Sequence, residues 1–264
     1  MGDKKANISK LYGDGNRREL IKLIQQLGYR KGTWEVFNDF LCCMAISLAN
    51  SADPHHIFVG EETWNEREER YKAVMKKYEL RERQMFPMMA VALVNEMESW
   101  AFKEEYRDVL GEVFHELEFH NKWKGQFFTP QNICNMMGIS SAGGMDLKRT
   151  IEEYGYISVN EPCCGGGAMI YGFLNAFHKQ GFNHGKQLLV IANDVDERCV
   201  WMTFIQCSLY GVPAIVSQQN TLTMETYGAP WMTPVYIWEG WPWRRHQREA
   251  AADKEQKELM EAEA

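Results

Sequence analysis

Ile157-Ser-Val-Asn-Glu-Pro-Cys-Cys-Gly-Gly-Gly-Ala-Met-Ile-Tyr-Gly-Phe-Leu-Asn-Ala-Phe177 is the stretch that decides the fold. A short β-branched run gives way to an acid and three glycines, and then to apolar residues at helical spacing, which predicts a strand, a tight turn and a helix. Gly165, Gly166 and Gly167 stand where such a turn needs positive φ and close backbone approach. The amides that open the helix at Ala168 would face whatever lies at the end of the strand. No Gly-Lys-Ser/Thr ending follows, so a Walker-type nucleotide loop is disfavoured. Glu161, just before the turn, also disfavours phosphate and favours the cationic end of an amino acid. Taken alone, the segment also reads as a tight turn with no ligand.

Working downstream, Leu188-Leu-Val-Ile-Ala192 is a buried strand, followed by Asn193-Asp-Val-Asp196 and a helix from about Glu197 to Tyr210. Ala214-Ile-Val-Ser217 is a third strand, ending in Gln219-Asn-Thr-Leu222, and Val235-Tyr-Ile-Trp-Glu239 reads as a fourth. Strands alternating with helices predict an α/β unit with a parallel, doubly wound sheet. Asp194 then stands at the end of the second strand, where an open α/β sheet places the acid that accepts from ribose hydroxyls. A helix cap is the plainer role for the same residue. Asn220, at the end of the third strand, could bond an adenine amino group through its side-chain oxygen.

Working upstream, residues 1 to about 122 predict a bundle of about five helices. Arg18 to Leu27 is closed by Gly28, and a more apolar helix runs from about Trp34 to Asn50. Thr63-Trp-Asn-Glu66 forms a capping box opening a helix through Tyr78. Arg81 to Phe102 is kinked or restarted at Pro87, and Asp108 to Phe119 completes the set. Residues 123 to 243 form the α/β domain, and 244 to 264 read as a solvated, charged tail.

The chain has 264 residues, of which 45% are hydrophobic, enough for a packed core. No apolar run is long enough to span a membrane and no signal segment opens the chain, which predicts a cytoplasmic protein with no membrane partner. Seven cysteines, without any Cys-x-x-Cys spacing, fit reduced thiols. His115-Glu-Leu-Glu-Phe-His120 places its histidines five apart, which does not put them on one helix face, so no metal is expected. The net charge of −7 argues against a free-standing electrostatic DNA binder.

The helix Asp108-Val-Leu-Gly-Glu-Val-Phe-His-Glu-Leu117, followed by Gly125-Gln-Phe-Phe-Thr-Pro130, resembles the junction between the helical and methyltransferase domains in the methylation subunits of type I restriction-modification systems. Together with Glu161-Pro-Cys-Cys-Gly-Gly-Gly167, Asp194-Val-Asp196 and Asn220-Thr-Leu222, the similarity to these DNA adenine-specific methyltransferases spans most of residues 15 to 243. The resemblance implies a Rossmann-like domain that binds S-adenosylmethionine and transfers its methyl group to the exocyclic amine of adenine in DNA. Phe127, Phe128, Thr129 and Pro130 would border the methionine part of the cofactor. Glu161, with Pro162 beside it, and Gly165 to Gly167 would meet its amino-acid end, Asp194 its ribose and Asn220 its adenine.

The family's Asn/Asp-Pro-Pro-Tyr/Phe motif, which holds the flipped base, is absent from the chain. Gly240-Trp-Pro-Trp243 is the best positional match, with Glu239 able to supply an oxygen where Gly240 has no side chain. The 21 residues beyond Trp243 are too few for the remaining strands, so the sheet is expected to be truncated and covered by an oligomer or a partner subunit. Two functions follow: an adenine methyltransferase, or a catalytically silent relative that keeps the cofactor pocket and acts as a subunit or decoy of a restriction-modification complex. Trp241-Pro-Trp-Arg-Arg245 could instead stack a base or close the sheet edge as an apolar lid.

Overall fold

A computed structural model describes residues 15–118 and 129–250. The first half is helical: α1 (Gly15–Lys31), α2 (Thr33–Ala52), α3 (Glu61–Lys76), the single turn α4 (Leu80–Arg83), α5 (Met85–Ala101) and α6 (Val109–Glu116). The helices form where apolar residues recur at helical spacing, and glycines with positive φ separate the first three. Gly32 (φ 89°) ends α1 and Gly60 (φ 78°) precedes α3.

Three boundaries differ from the sequence reading. Gly28 lies inside α1 and is glycine for another reason: a Cβ there would sit 2.6 Å from the Cα of Thr33, where α2 begins. Thr63 is already inside α3, which starts two residues earlier behind Gly60, so it caps nothing. The break expected at Pro87 falls instead at Gln84, and Pro87 sits in the first turn of α5, where its missing N–H costs nothing.

The second half holds α7 (Gln131–Gly143), α8 (Leu147–Tyr154), β1 (Ile157–Glu161), α9 (Ala168–Lys179), α10 (His184–Gln187), β2 (Leu188–Asp194), α11 (Glu197–Leu209), β3 (Ala214–Asn220), β4 (Glu225–Thr226), β5 (Trp231–Met232) and α12 (Pro234–Trp238). Residues 241–250 are helical. β1, β2 and β3 pair in parallel and in sequence order, with Ile157 opposite Leu188 and Val190 opposite Ala214. Two short antiparallel strands, β4 and β5, pair with the far edge of β3.

The protein is thus α/β with a small mixed sheet, but the described strands run 1-2-3 without a reversal of order, so the doubly wound arrangement is not present among them. Ile157, Leu188, Val190, Ala192, Ala214 and Val216 face the large core together with α9 and α11, while Leu189 on the opposite face belongs to a small cluster with Tyr156, Tyr236 and Trp241. The large core also takes in α1, α2, α5 and α6, so the boundary expected at residue 122 divides the sequence and not the core. Arg70 of α3 grips Glu197 of α11 with both guanidinium nitrogens, and Arg67 donates to the Pro230 carbonyl at 3.1 Å.

The expected fourth strand is a helix. Thr233 is fully buried, its hydroxyl donating to Val212 O and accepting from Ala214 N, and Pro234 follows at the first helical position, where a fixed φ favours helix. Val235 to Trp238 therefore turn away from the sheet instead of extending it. The tail also departs from expectation. Arg244 donates to the carbonyls of Lys186 and Gly155 and Arg248 to that of Tyr156, so the part of it that is described clamps the sheet.

Candidate functional site

The carboxyl ends of β1, β2 and β3 bring Glu161, Asp194 and Asn220 to one edge, with the glycine turn between β1 and α9. The turn is fixed from three directions. Asp194 Oδ2 accepts from Gly165 N at 2.9 Å while its Oδ1 accepts from Asp196 N at 2.9 Å. Cys164 N donates to Asn193 O, tying the turn to the end of β2. On α11, Thr203 and Gln206, one helical turn apart, hold the carbonyls of Gly165 and Gly166 at 2.9 and 2.8 Å. Gly167 stands at the N-cap of α9, whose first turn carries no side-chain cap.

The three glycines have two different causes. Gly165 (φ 54°) and Gly167 (φ 97°) occupy the left-handed region. Gly166 does not. It is glycine because a Cβ there would lie 2.2 Å from Asp108 Oδ2.

Burial pushes the Glu161 carboxyl above the usual carboxylate range, opposed by the Cys163 amide at 3.3 Å and reinforced by the charge of Asp194. Asp194 is likewise raised by burial, with the amides it accepts from pulling the other way. A carboxylate offers about four lone-pair sites, so Asp194 keeps acceptor capacity beyond the backbone amides it holds. It therefore combines the capping role with the capacity for a ligand hydroxyl.

Asn220 corrects the sequence reading. Its Oδ1 accepts from Leu222 N at 3.0 Å and Thr223 N at 3.3 Å, an Asx turn that occupies both lone pairs. What remains is the NH2, so Asn220 presents a donor suited to a ring nitrogen, not an acceptor for an exocyclic amine. Pro162 contributes through its backbone, its carbonyl accepting from Thr221 Oγ1 at 2.6 Å and joining the turn to the end of β3.

Thr129 and Pro130 border a cavity of about 280 Å³ together with Asp108, Glu112, His115 and Gln131. Phe127 and Phe128 lie outside the described residues. A second cavity, of about 480 Å³, opens beside Val195, Asp196, Arg198 and Gln218, next to the ends of β2 and β3. The approach of α7 to the turn rests on another pair of glycines. A Cβ on Gly138 would meet the Gly172 carbonyl at 2.2 Å, and one on Gly172 the Cys134 carbonyl at 2.2 Å. Backbones of α7 and α9 therefore touch, which brings Pro130, at the start of α7, beside α9.

Glu239, Gly240, Trp241, Pro242 and Trp243 are not part of this edge. Trp241 is fully buried, edge-on to Tyr156 at 5.2 Å, and donates its indole N–H to Gly185 O at 3.1 Å, beside the start of β2. Those contacts fix the stretch at the amino ends of the strands, opposite the glycine turn. With no fourth strand to carry it, the stretch cannot present an acceptor at the carboxyl edge. Trp241 is apolar cover, but for the second face of the sheet, packed with Tyr156, Leu189 and Tyr236, and not for its edge as the sequence suggested. Trp243 and Glu239 are exposed to solvent.

Sequence reasoning missed Asp108, Thr203, Gln206, Gly138 and Gly172. The signals were faint: a polar residue in the apolar run of α11, an acid one residue ahead of a helix, and lone glycines in helices. Comparison of the chain with protein-family models and with curated proteins returns no match.

Proposed function

We propose that this chain binds S-adenosylmethionine at the carboxyl ends of β1 to β3 and acts as a cofactor-binding relative of the DNA adenine methyltransferases. The observation that carries the reading is the convergence of Glu161, the glycine turn, Asp194 and Asn220 on one edge, the carboxyl ends of three parallel strands. The residues fit the cofactor's chemistry. Glu161 is an acid for an ammonium, the open end of α9 suits a carboxylate, Asp194 has unused acceptor sites for ribose hydroxyls, and Asn220 offers a donor to an adenine ring nitrogen. When bound, the cofactor supplies an electrophilic methyl group. The chain's own residues hold and orient it.

Of the two functions the sequence offered, the silent relative is the better supported. The stretch that would orient a target amine lies at the other end of the sheet, with Trp241 buried beside the start of β2. The net charge of −7 supports a division of labour in which a partner subunit supplies affinity for DNA. The test is calorimetry with S-adenosylmethionine and S-adenosylhomocysteine, run beside methyl transfer from radiolabelled cofactor to unmodified DNA. Micromolar binding with no transfer by the isolated chain is the expected result. Absence of both heat and thermal shift at millimolar cofactor overturns the reading, and robust transfer overturns its silent half.

A further inference from the structure

Asp108 is a buried carboxyl with unequal oxygens. Oδ1 accepts from Gly111 N at 2.8 Å and from Gln206 Nε2 at 2.9 Å, while Oδ2 is buried without a hydrogen-bond partner. That oxygen lies in a slot between two glycines, since a Cβ on Gly111 would stand 2.1 Å from it and one on Gly166 2.2 Å. Gln206 completes the assembly. Its amide nitrogen bonds both Asp108 Oδ1 and the Gly166 carbonyl, and its oxygen accepts from Leu110 N at 3.0 Å. Every hydrogen-bonding position of this amide but one lone pair is in use, so its orientation is fixed. α6, which belongs to the helical half of the sequence, is thereby locked to the glycine turn of the α/β half.

We infer that Asp108 and Gln206 are the positioning pair of the cofactor site: Asp108 fills the space that Gly166 leaves empty and orients Gln206, and Gln206 holds the turn in its binding geometry. The inference rests on the proposed cofactor reading for its ligand, but the geometry it assigns to the turn stands apart from any ligand. Gly166 has ordinary φ, so alanine at this position is opposed by Asp108 and not by the backbone.

The experiment is a steric exchange. Gly166→Ala, Asp108→Ala and the double variant are compared by calorimetry with S-adenosylhomocysteine, and by mass-spectrometric alkylation of Cys164, a thiol inside the turn that is buried beside the exposed Cys163. Gly166→Ala is expected to weaken binding at least tenfold and to open Cys164 to the reagent. Removing the Asp108 carboxyl in the same chain is expected to restore affinity to within about threefold of Asp108→Ala and to protect Cys164 again. Asp108→Ser, which keeps a short oxygen at the start of α6, replaces Asp108→Ala if that variant does not fold. A double variant no better than Gly166→Ala in either readout overturns the inference, as does a Gly166→Ala protein indistinguishable from the parent. If the parent binds no cofactor the functional reading fails, and the alkylation pattern alone then decides for or against the pair.

Discussion

The two ends of the parallel strands are built on opposite principles. At the amino ends, Tyr156, Leu189, Tyr236 and Trp241 pack into a closed cluster, and Trp241, Arg244 and Arg248 spend their donors on backbone carbonyls of α10 and the approach to β1. At the carboxyl ends, two carboxyls are held above their usual range by burial, Asn220 keeps a free NH2 among the described residues, and the first turn of α9 is uncapped. One end gives its polar groups wholly to the fold, and the other gives only part of their hydrogen-bonding capacity. Substitutions should therefore sort into those that move stability and those that move ligand affinity, according to the end they occupy.

The largest effect is expected from Trp241→Ala. It empties the space of a fully buried indole and leaves the Gly185 carbonyl without its donor. Loss of a buried aromatic of this kind costs about 3–5 kcal/mol, to be measured as the shift in the urea unfolding midpoint. Cofactor affinity of the folded fraction, measured by calorimetry in the cold, should stay within about threefold of the parent. A loss of affinity as large as the loss of stability would mean that the two ends are not separate.

Asp194→Ala sharpens the same contrast from the other side. Cofactor affinity should fall by roughly 1–3 kcal/mol through loss of charge-assisted hydrogen bonds. Because the carboxylate also accepts from Gly165 N and Asp196 N, some stability is lost too. Asp194→Asn separates the contributions, keeping one acceptor oxygen for the turn while removing the charge. An Asp194→Ala protein that binds with parental affinity would remove the ribose contact from the reading.

Asp108 connects the site to pH. Burial raises its folded-state carboxyl above the usual range, against the pull of its bonds to Gln206 and Gly111. A group with a raised folded value contributes stability that is complete below the ordinary carboxylate range and is lost as pH rises through the folded value, since the native state holds its proton longer than the unfolded chain. Asp108→Asn, which keeps an acceptor for Gln206 and cannot titrate, should flatten that decline and gain most over the parent at the alkaline end. Unfolding midpoints across pH 4 to about 8 read this directly. Parallel curves for the two proteins would assign the decline to other groups.

The sequence carried the parallel core and the placement of Glu161, Asp194 and Asn220 at the strand ends. β1, β2 and the turn follow from a β-branched run, a continuous apolar run and glycine placement, and Asp194 follows from its position two residues beyond the apolar run. Partners distant in sequence were not legible. That Gly166 is glycine on account of a residue 58 positions earlier, and that Gly138 and Gly172 are glycine because the backbones at Gly172 and Cys134 approach them, are facts of tertiary approach that no local pattern encodes. The failure at Val235 to Trp238 has a local cause. Four apolar residues fit strand and helix equally, and the deciding signal was Pro234 at the first helical position, ahead of them rather than among them.

The smallest effect belongs to Gly240. Its φ of 69° lies in the left-handed region, and nothing stands within 4 Å of where a Cβ would be, so asparagine, which tolerates that region better than most residues, should cost only a few tenths of a kcal/mol up to about 1 kcal/mol. If Gly240 stood in for the amide that orients a target adenine, Gly240→Asn would supply the missing acceptor, and positioned polar contacts of that kind change rates by about 10²-fold or more. The residue instead follows α12 and precedes Trp241, whose indole is anchored at the amino end of β2, across the sheet from the glycine turn. An added amide there faces solvent. Gly240→Asn is therefore expected to leave methyl transfer from radiolabelled cofactor to unmodified DNA at the parental level, with cofactor affinity unchanged. A gain in transfer would show that the two ends of the sheet meet during turnover, which would break the separation on which the other predictions depend.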